Sequence, residues 1–156
     1  GFKIGHWNVL GEQAISSDLL APWKCIDDCL VLHQVRDPLK QIGSMQTAHN
    51  YTWDYISQVI KFEPDDLLLV KCMKYWYRWN KIAEKRAEFT YQVENLPWAK
   101  ILTTVGAGYP GCPEPTVSKK SNSRAGMYEP VTWEILEAVD AELCGKIKEL
   151  AEHYAY

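Results

Sequence analysis

"VLHQVRDPLKQIGSMQT", residues 31–47, changes character in its middle. It opens inside a compact apolar run, Cys29–Val35, turns at Arg36-Asp37-Pro38, and then takes on helical spacing. An apolar run of strand length without clean alternation fits a strand buried on both faces, as in a parallel sheet. Asp is a favoured N-cap and Pro is favoured at the first helical position. The pair Asp37-Pro38 therefore predicts a helix start, with the helix running to about His49. The first turn of a helix offers unpaired N–H groups and a partial positive charge, where anions settle. Arg36 stands immediately before that turn, and its planar fork can hold two anion oxygens. Positions 37, 40 or 41, and 44 share a helix face, so Ser44 Oγ can meet a ligand lying along the helix. Asp37 is the awkward member, because a carboxylate repels an anion; as an N-cap its oxygen is occupied by helix N–H groups. The competing reading is a surface Arg36–Asp37 pair with Ser44 merely solvated.

Working outward, a second helix is expected from Thr52 as N-cap, with Trp53, Ile56, Val59 and Ile60 on one side. Asp65-Asp66 place acidic residues at the start of a longer helix, roughly 66–87. Its stripe is Leu69, Cys72, Met73, Trp76, Trp79, Ile82 and Ala83, at steps of three and four. This spacing assigns Trp76 and Trp79 to the core. Phe89–Val93 alternates and reads as a strand. Trp98–Leu102 forms a helical turn, and residues 103–126, rich in Gly and Pro, form a long loop. Thr132 caps a last helix with Glu134 in its first turn and Ile135, Leu136, Val139, Leu143, Ile147 and Leu150 as its stripe. Toward the start, Phe2–His6 reads as a short strand, and Ser17 or Asp18 caps a short helix that Pro22 ends. Short apolar strands alternating with helices predict a single α/β domain over residues 1–156.

Composition narrows the function classes. A chain of 156 residues with 47% hydrophobic and 24% charged residues has a globular make-up. Its net charge of −3 argues against nonspecific nucleic-acid binding, which needs a basic surface. No apolar run reaches membrane-spanning length and no signal peptide is visible, so a cytoplasmic protein is the expectation. The five cysteines are odd in number and lack a CxxC pair, so neither a zinc site nor a disulfide framework is predicted. The acidic pairs Asp27-Asp28 and Asp65-Asp66 have no histidine nearby in sequence, and no metal is expected.

Arg36 at a strand end, Asp-Pro opening a helix, and Ser44 eight residues after the Arg resemble the 3′-phosphate motif of PAPS-dependent sulfotransferases. Other stretches are similar to bacterial sulfotransferase-like proteins. These are Gly5-His6, Ile15-Ser16-Ser17, Tyr75-Trp76 with Trp79-Asn80, Tyr91–Leu96, and Ser121–Arg124 followed by Thr132-Trp133-Glu134. The resemblance implies a P-loop-type parallel sheet flanked by helices. It implies that Arg36 and Ser44 hold the 3′-phosphate of PAPS or PAP, and that Lys119, Lys120 and Arg124 close over it. It also implies sulfuryl transfer to a hydroxyl or amine of a small-molecule or glycan acceptor, with His6 and Glu12 as local candidates for the general base.

The chain departs from the family in two places. Where relatives read Gly-His-Glu, this sequence reads Gly5-His6-Trp7, so the usual acid is replaced. No GxxxxGK[ST] or RSGTT-like segment for the 5′-phosphosulfate occurs in residues 1–156. The sequence therefore reads as a sulfotransferase-like sheet with its first β–α unit missing, an incomplete chain of weak or no activity. Exposed sheet edges are then expected to pair with another copy or to rearrange. The alternatives from other classes are a non-catalytic nucleotide- or anion-binding module and a purely structural interaction protein.

Overall fold

The computed structural model describes residues 30–106 and 126–156. The strand and helix read within residues 2–22 lie outside them. The described chain is mixed α/β, mostly helical, with one two-stranded parallel sheet. Strand β1 (Leu32–Val35) leads into helix α1 (Pro38–Met45), then α2 (Asn50–Ser57) and the long α3 (Leu68–Glu84). Strand β2 (Phe89–Gln92), α4 (Trp98–Thr104), α5 (Trp133–Val139) and α6 (Ala141–His153) follow. β1 and β2 pair in register Leu32↔Phe89 to Val35↔Gln92.

A two-stranded sheet cannot stand alone in water, and here α3 supports it. The predicted stripe of α3 is the centre of the core: Cys72, Met73, Trp76, Trp79 and Ala83 are buried, and Leu69 and Ile82 are half-buried. α3 packs against α1, α5, α6 and β1, four of the seven other elements. Trp76 is fully buried, and truncating such a side chain removes about 3–5 kcal/mol. The free thiols of Cys72 and Cys144 are buried in the same core, and burial pushes the Cys72 thiol up to about 12. That group packs as a small hydrophobe rather than reacting.

Several expected boundaries shift, each for a local reason. Helix α1 begins as predicted, with the Asp37 side chain accepting from Lys40 N at 3.1 Å and Pro38 at N1, but stops at Met45 rather than near His49. Its end tightens: Gln46 N and Thr47 N donate back to Gly43 O and Ser44 O, and Thr47 Oγ1 also donates to Ser44 O. Helix α2 is capped by His49, which leaves Thr52 inside its first turn instead of at its cap. Asp66 does not lead α3, which starts at Leu68. Its carboxylate accepts from Glu63 N (2.8 Å) and from Lys74 Nζ (2.6 Å), clamping the preceding loop to the helix. Desolvation alone would raise the Asp66 pKa; the Lys74 and Glu63 hydrogen bonds and the Lys74 and Lys71 charges outweigh it and hold the carboxyl below its ordinary range. α4 continues through Thr104, two residues into the expected loop.

The last helix is two helices. Thr132 caps α5 as predicted, accepting from Ile135 N. Asp140 then leaves helical geometry at φ −156°, ψ 94°, and its side chain accepts from Leu143 N at 2.9 Å to start α6. A side-chain oxygen that satisfies the next turn competes with continuing the helix. The break splits the expected stripe: Leu136, Cys144, Ile147, Leu150 and Ala151 are buried, while Ile135 and Val139 are exposed.

One close approach fixes the segment before α5. A Cβ on Gly43 would stand 2.6 Å from Tyr128 Cε2 and 2.8 Å from its Cδ2, so the Tyr128 ring lies directly on α1. Gly43→Ala is expected to cost about 1–3 kcal/mol by displacing that ring. In a Tyr128→Ala background the same change should be neutral or stabilising, since Ala exceeds Gly in helix propensity by about 1 kcal/mol. Urea denaturation of the four chains of this double-mutant cycle checks it; additive effects would rule the contact out.

Candidate functional site

β1 and β2 run parallel and end side by side at Val35 and Gln92. In parallel sheets, ligands collect at the carboxyl ends of strands, where the connections leave the sheet. At this end lie Arg36 and Asp37 on the way into α1, and Val93 and Glu94 beyond β2.

The main chain of this corner is pinned from below by a buried polar relay. Asn80 Nδ2 donates to Trp76 O (2.7 Å), which orients the Asn80 amide so that Oδ1 faces His33 Nε2 at 2.9 Å. His33 therefore donates through Nε2–H, and its Nδ1 accepts from the Thr90 hydroxyl at 3.0 Å. The Trp76 indole N–H then donates to the Arg36 carbonyl at 3.1 Å. The relay joins β2, β1 and α3 and finishes on the backbone of Arg36, whose side chain is left exposed.

A second clasp closes over the strand ends. The Val35 carbonyl accepts from Val93 N (2.8 Å) and lies 2.9 Å from the Tyr156 hydroxyl, which also meets Glu94 Oε2. Gln92 Nε2 donates to the carbonyls of Tyr154 (2.9 Å) and Ala155 (2.8 Å), holding the segment that carries Tyr156. Desolvation, the hydrogen bond to Glu94 and the charges of Glu94 and Asp37 raise the Tyr156 pKa, and the Arg36 charge opposes them. One cation and two carboxylates thus act on the same hydroxyl.

The helix end itself contributes little to holding an anion. Pro38 has no N–H, Lys40 N is taken by Asp37 Oδ1, and Gln41 N is taken by Asp37 O. Leu39 N is the first-turn donor left without a partner among the described residues. Arg36 has no ion-pair partner within 4 Å among the described residues, whereas Asp37 lies 3.6 Å from Lys40 Nζ. Ser44 is half-buried in the last turn of α1, on the flank shared with Asp37. Seven residues separate the two, about 10 Å along the axis. A ligand touching both Arg36 and Ser44 therefore lies beside the helix rather than across its end.

Of the residues singled out from sequence, the structure places Arg36 and Ser44 at the two ends of α1. His6, Glu12, Lys119, Lys120 and Arg124 lie outside the described residues. His33, Asn80, Thr90 and Tyr156 were not picked out by sequence. Their signal was present as polar residues set within apolar runs: His33 inside Cys29–Val35, and Asn80 beside Trp79 on the core stripe. Among the described residues no three His, Cys, Asp or Glu side chains are grouped as a metal site, and no helix is long and apolar enough to cross a membrane. Comparison with known proteins found no matching family model, no curated protein and no solved structure similar to this chain.

The relay carries a pH signature. Desolvation lowers the His33 pKa below its ordinary 6.5, against the opposing Asn80 hydrogen bond and Glu84 charge. As pH falls below 6.5 the unfolded chain takes up a proton that the folded chain refuses, so this contribution is complete above 6.5 and is lost below it. The urea midpoint should fall between pH 7.5 and pH 5, before carboxylates titrate. His33→Asn should flatten that slope even if it lowers stability throughout. An equal slope in the variant would place the titration elsewhere.

Proposed function

We propose that the β1–α1 corner recognises a phosphate, and that the chain is a sulfotransferase-family domain whose Arg36 and Ser44 hold the 3′-phosphate of PAPS or PAP. The observation that carries this reading is the arrangement at one end of the parallel sheet. Arg36 leaves β1 with its backbone pinned by Trp76 and its guanidinium exposed, and Ser44 stands on the flank of the helix that follows. A guanidinium fixed at its root and free at its tip suits bidentate capture of phosphate oxygens.

The charge balance says what else such a site needs. Asp37 and Glu94 oppose an incoming dianion, and the helix end lends one free N–H. The basic loop residues Lys119, Lys120 and Arg124 are the natural source of the missing positive charge. In the reaction, an acceptor hydroxyl or amine attacks sulfur in line and PAP leaves, with positioning and charge stabilisation supplied by the protein. His6 and Glu12 are the candidates to take the acceptor proton. Residues 1–156 contain no GxxxxGK[ST] or RSGTT-like stretch of the kind that cradles a 5′-phosphosulfate. The function assigned to these residues is thus recognition of the 3′-phosphate half. The same corner without transfer chemistry would be a nucleotide- or anion-binding module.

Calorimetry with PAP against AMP separates these claims from chance. PAP should bind at least about tenfold more tightly, because a charge-assisted hydrogen bond contributes about 1.5–3 kcal/mol. Arg36→Ala should erase the preference and Ser44→Ala should reduce it. Equal affinities, no binding of PAP, or an Arg36→Ala chain that keeps the preference would refute the phosphate assignment. Sulfuryl transfer from PAPS to a mixed panel of phenols, alcohols and amines would decide between enzyme and binding module.

A further inference from the structure

The outer edge of β2 forms a slot that reaches, at its far end, the clasp residues Val35, Gln92 and Ala155. In a strand, successive main-chain units face opposite sides. Val93 N donates to Val35 O, so the main chain of Tyr91 faces β1, and those of Thr90 and Gln92 face away. Among the described residues β2 pairs with β1 alone. Gln92 O is taken by Asn95 N at 3.1 Å; the N–H and C=O of Thr90 and the N–H of Gln92 have no backbone partner among the described residues. Unpaired edge groups of this kind are a template for another strand.

A cavity of about 400 Å³ runs along this edge. All four residues of β2 line it, with Pro97 and Lys100 on one wall and His153 and Tyr154 on the other. The walls are aromatic and cationic. Lys100 Nζ sits 4.2 Å from the centre of the Phe89 ring and has no carboxylate partner among the described residues. No Asp or Glu lines the cavity. The acid behind it, Glu84, is committed to His153 (2.7 Å) and Lys81 (3.2 Å). Those two partners outweigh the desolvation that would raise its pKa and hold Glu84 below its ordinary range. A second copy of this edge would bring its own Lys100 toward the first, like charge to like.

We propose that the outer edge of β2 receives an extended acidic segment of a partner protein as a third strand. Its backbone pairs with Thr90 and Gln92, and a carboxylate side chain meets Lys100. Main-chain pairing supplies affinity in this mode, and side-chain chemistry selects the partner.

The test uses the 156-residue chain with acetyl-Val-Glu-Val-Glu-Val-amide and its lysyl counterpart, acetyl-Val-Lys-Val-Lys-Val-amide. Amide hydrogen exchange at Thr90 and Gln92 is read by NMR. The glutamyl peptide should slow exchange at both amides by about tenfold or more at millimolar concentration, and the lysyl peptide should not. Lys100→Ala should weaken the glutamyl peptide several-fold and Lys100→Arg should restore it. Lys100 is exposed, so both variants keep the fold. No protection, equal protection by the two peptides, or protection that grows with the concentration of the chain alone would overturn the proposal; the last result would make a second copy the occupant.

Discussion

The structure depends on one line of hydrogen bonds through its core: Thr90 hydroxyl to His33, His33 to Asn80, Asn80 to the Trp76 carbonyl, and the Trp76 indole to the Arg36 carbonyl. Buried polar groups cost several kcal/mol unless they are paired. Two of these bonds, His33 to Asn80 and the Trp76 indole to the Arg36 carbonyl, cross between the sheet and α3, and both close in only one placement of the helix. The apolar stripe of α3 explains why the helix packs there at all. Apolar contacts alone tolerate rotation and sliding, whereas two hydrogen bonds one helical turn apart admit little of either. Two four-residue strands gain a defined position because a helix holds them through side chains, not because their own ladder is strong.

That constraint also shapes the carboxyl end of the sheet. The relay ends on a backbone carbonyl, so it pins the root of Arg36 without consuming its charge. The Tyr156 clasp holds the same strand end one residue earlier, through the Val35 carbonyl. The corner is thus rigid in its main chain and open in its side chains. Its local charges are mixed, Arg36 against Asp37 and Glu94, so under the proposed reading a ligand would be selected by geometry more than by field strength. A site of this kind needs further cations to bind a dianion firmly, which gives Lys119, Lys120 and Arg124 their place in the proposal.

Much of the fold was legible in the sequence because it is written in local rules. Asp37-Pro38 announces α1 through capping chemistry, the spacing of Cys72, Met73, Trp76 and Trp79 announces α3, and Thr132 announces α5. Two of the misreadings share a cause: a side chain with two uses. Asp140 could have been an exposed helical residue, but its carboxylate satisfies Leu143 N and breaks the helix. Asp66 resembled an acidic helix start and is instead a partner of Lys74, eight residues on. At the site, Arg36 and Ser44 could be picked out because their spacing is a pattern along the chain. The pairings of His33, Asn80, Thr90 and Tyr156 could not, because their partners lie tens of residues away and periodicity carries no information about such pairs.

The Val35–Tyr156 hydrogen bond spans 121 positions of sequence. Closing so long a loop costs entropy that grows only with the logarithm of its length, so the contact is affordable at equilibrium. Its burden falls on kinetics. Distant contacts form after local ones, and β1 is synthesised long before its clasp. For that interval the helices can be in place while the carbonyl end of the sheet is unsealed. The sheet's polar end is therefore sealed only once residue 156 has docked, so its closure reports on that long-range contact rather than on helix content.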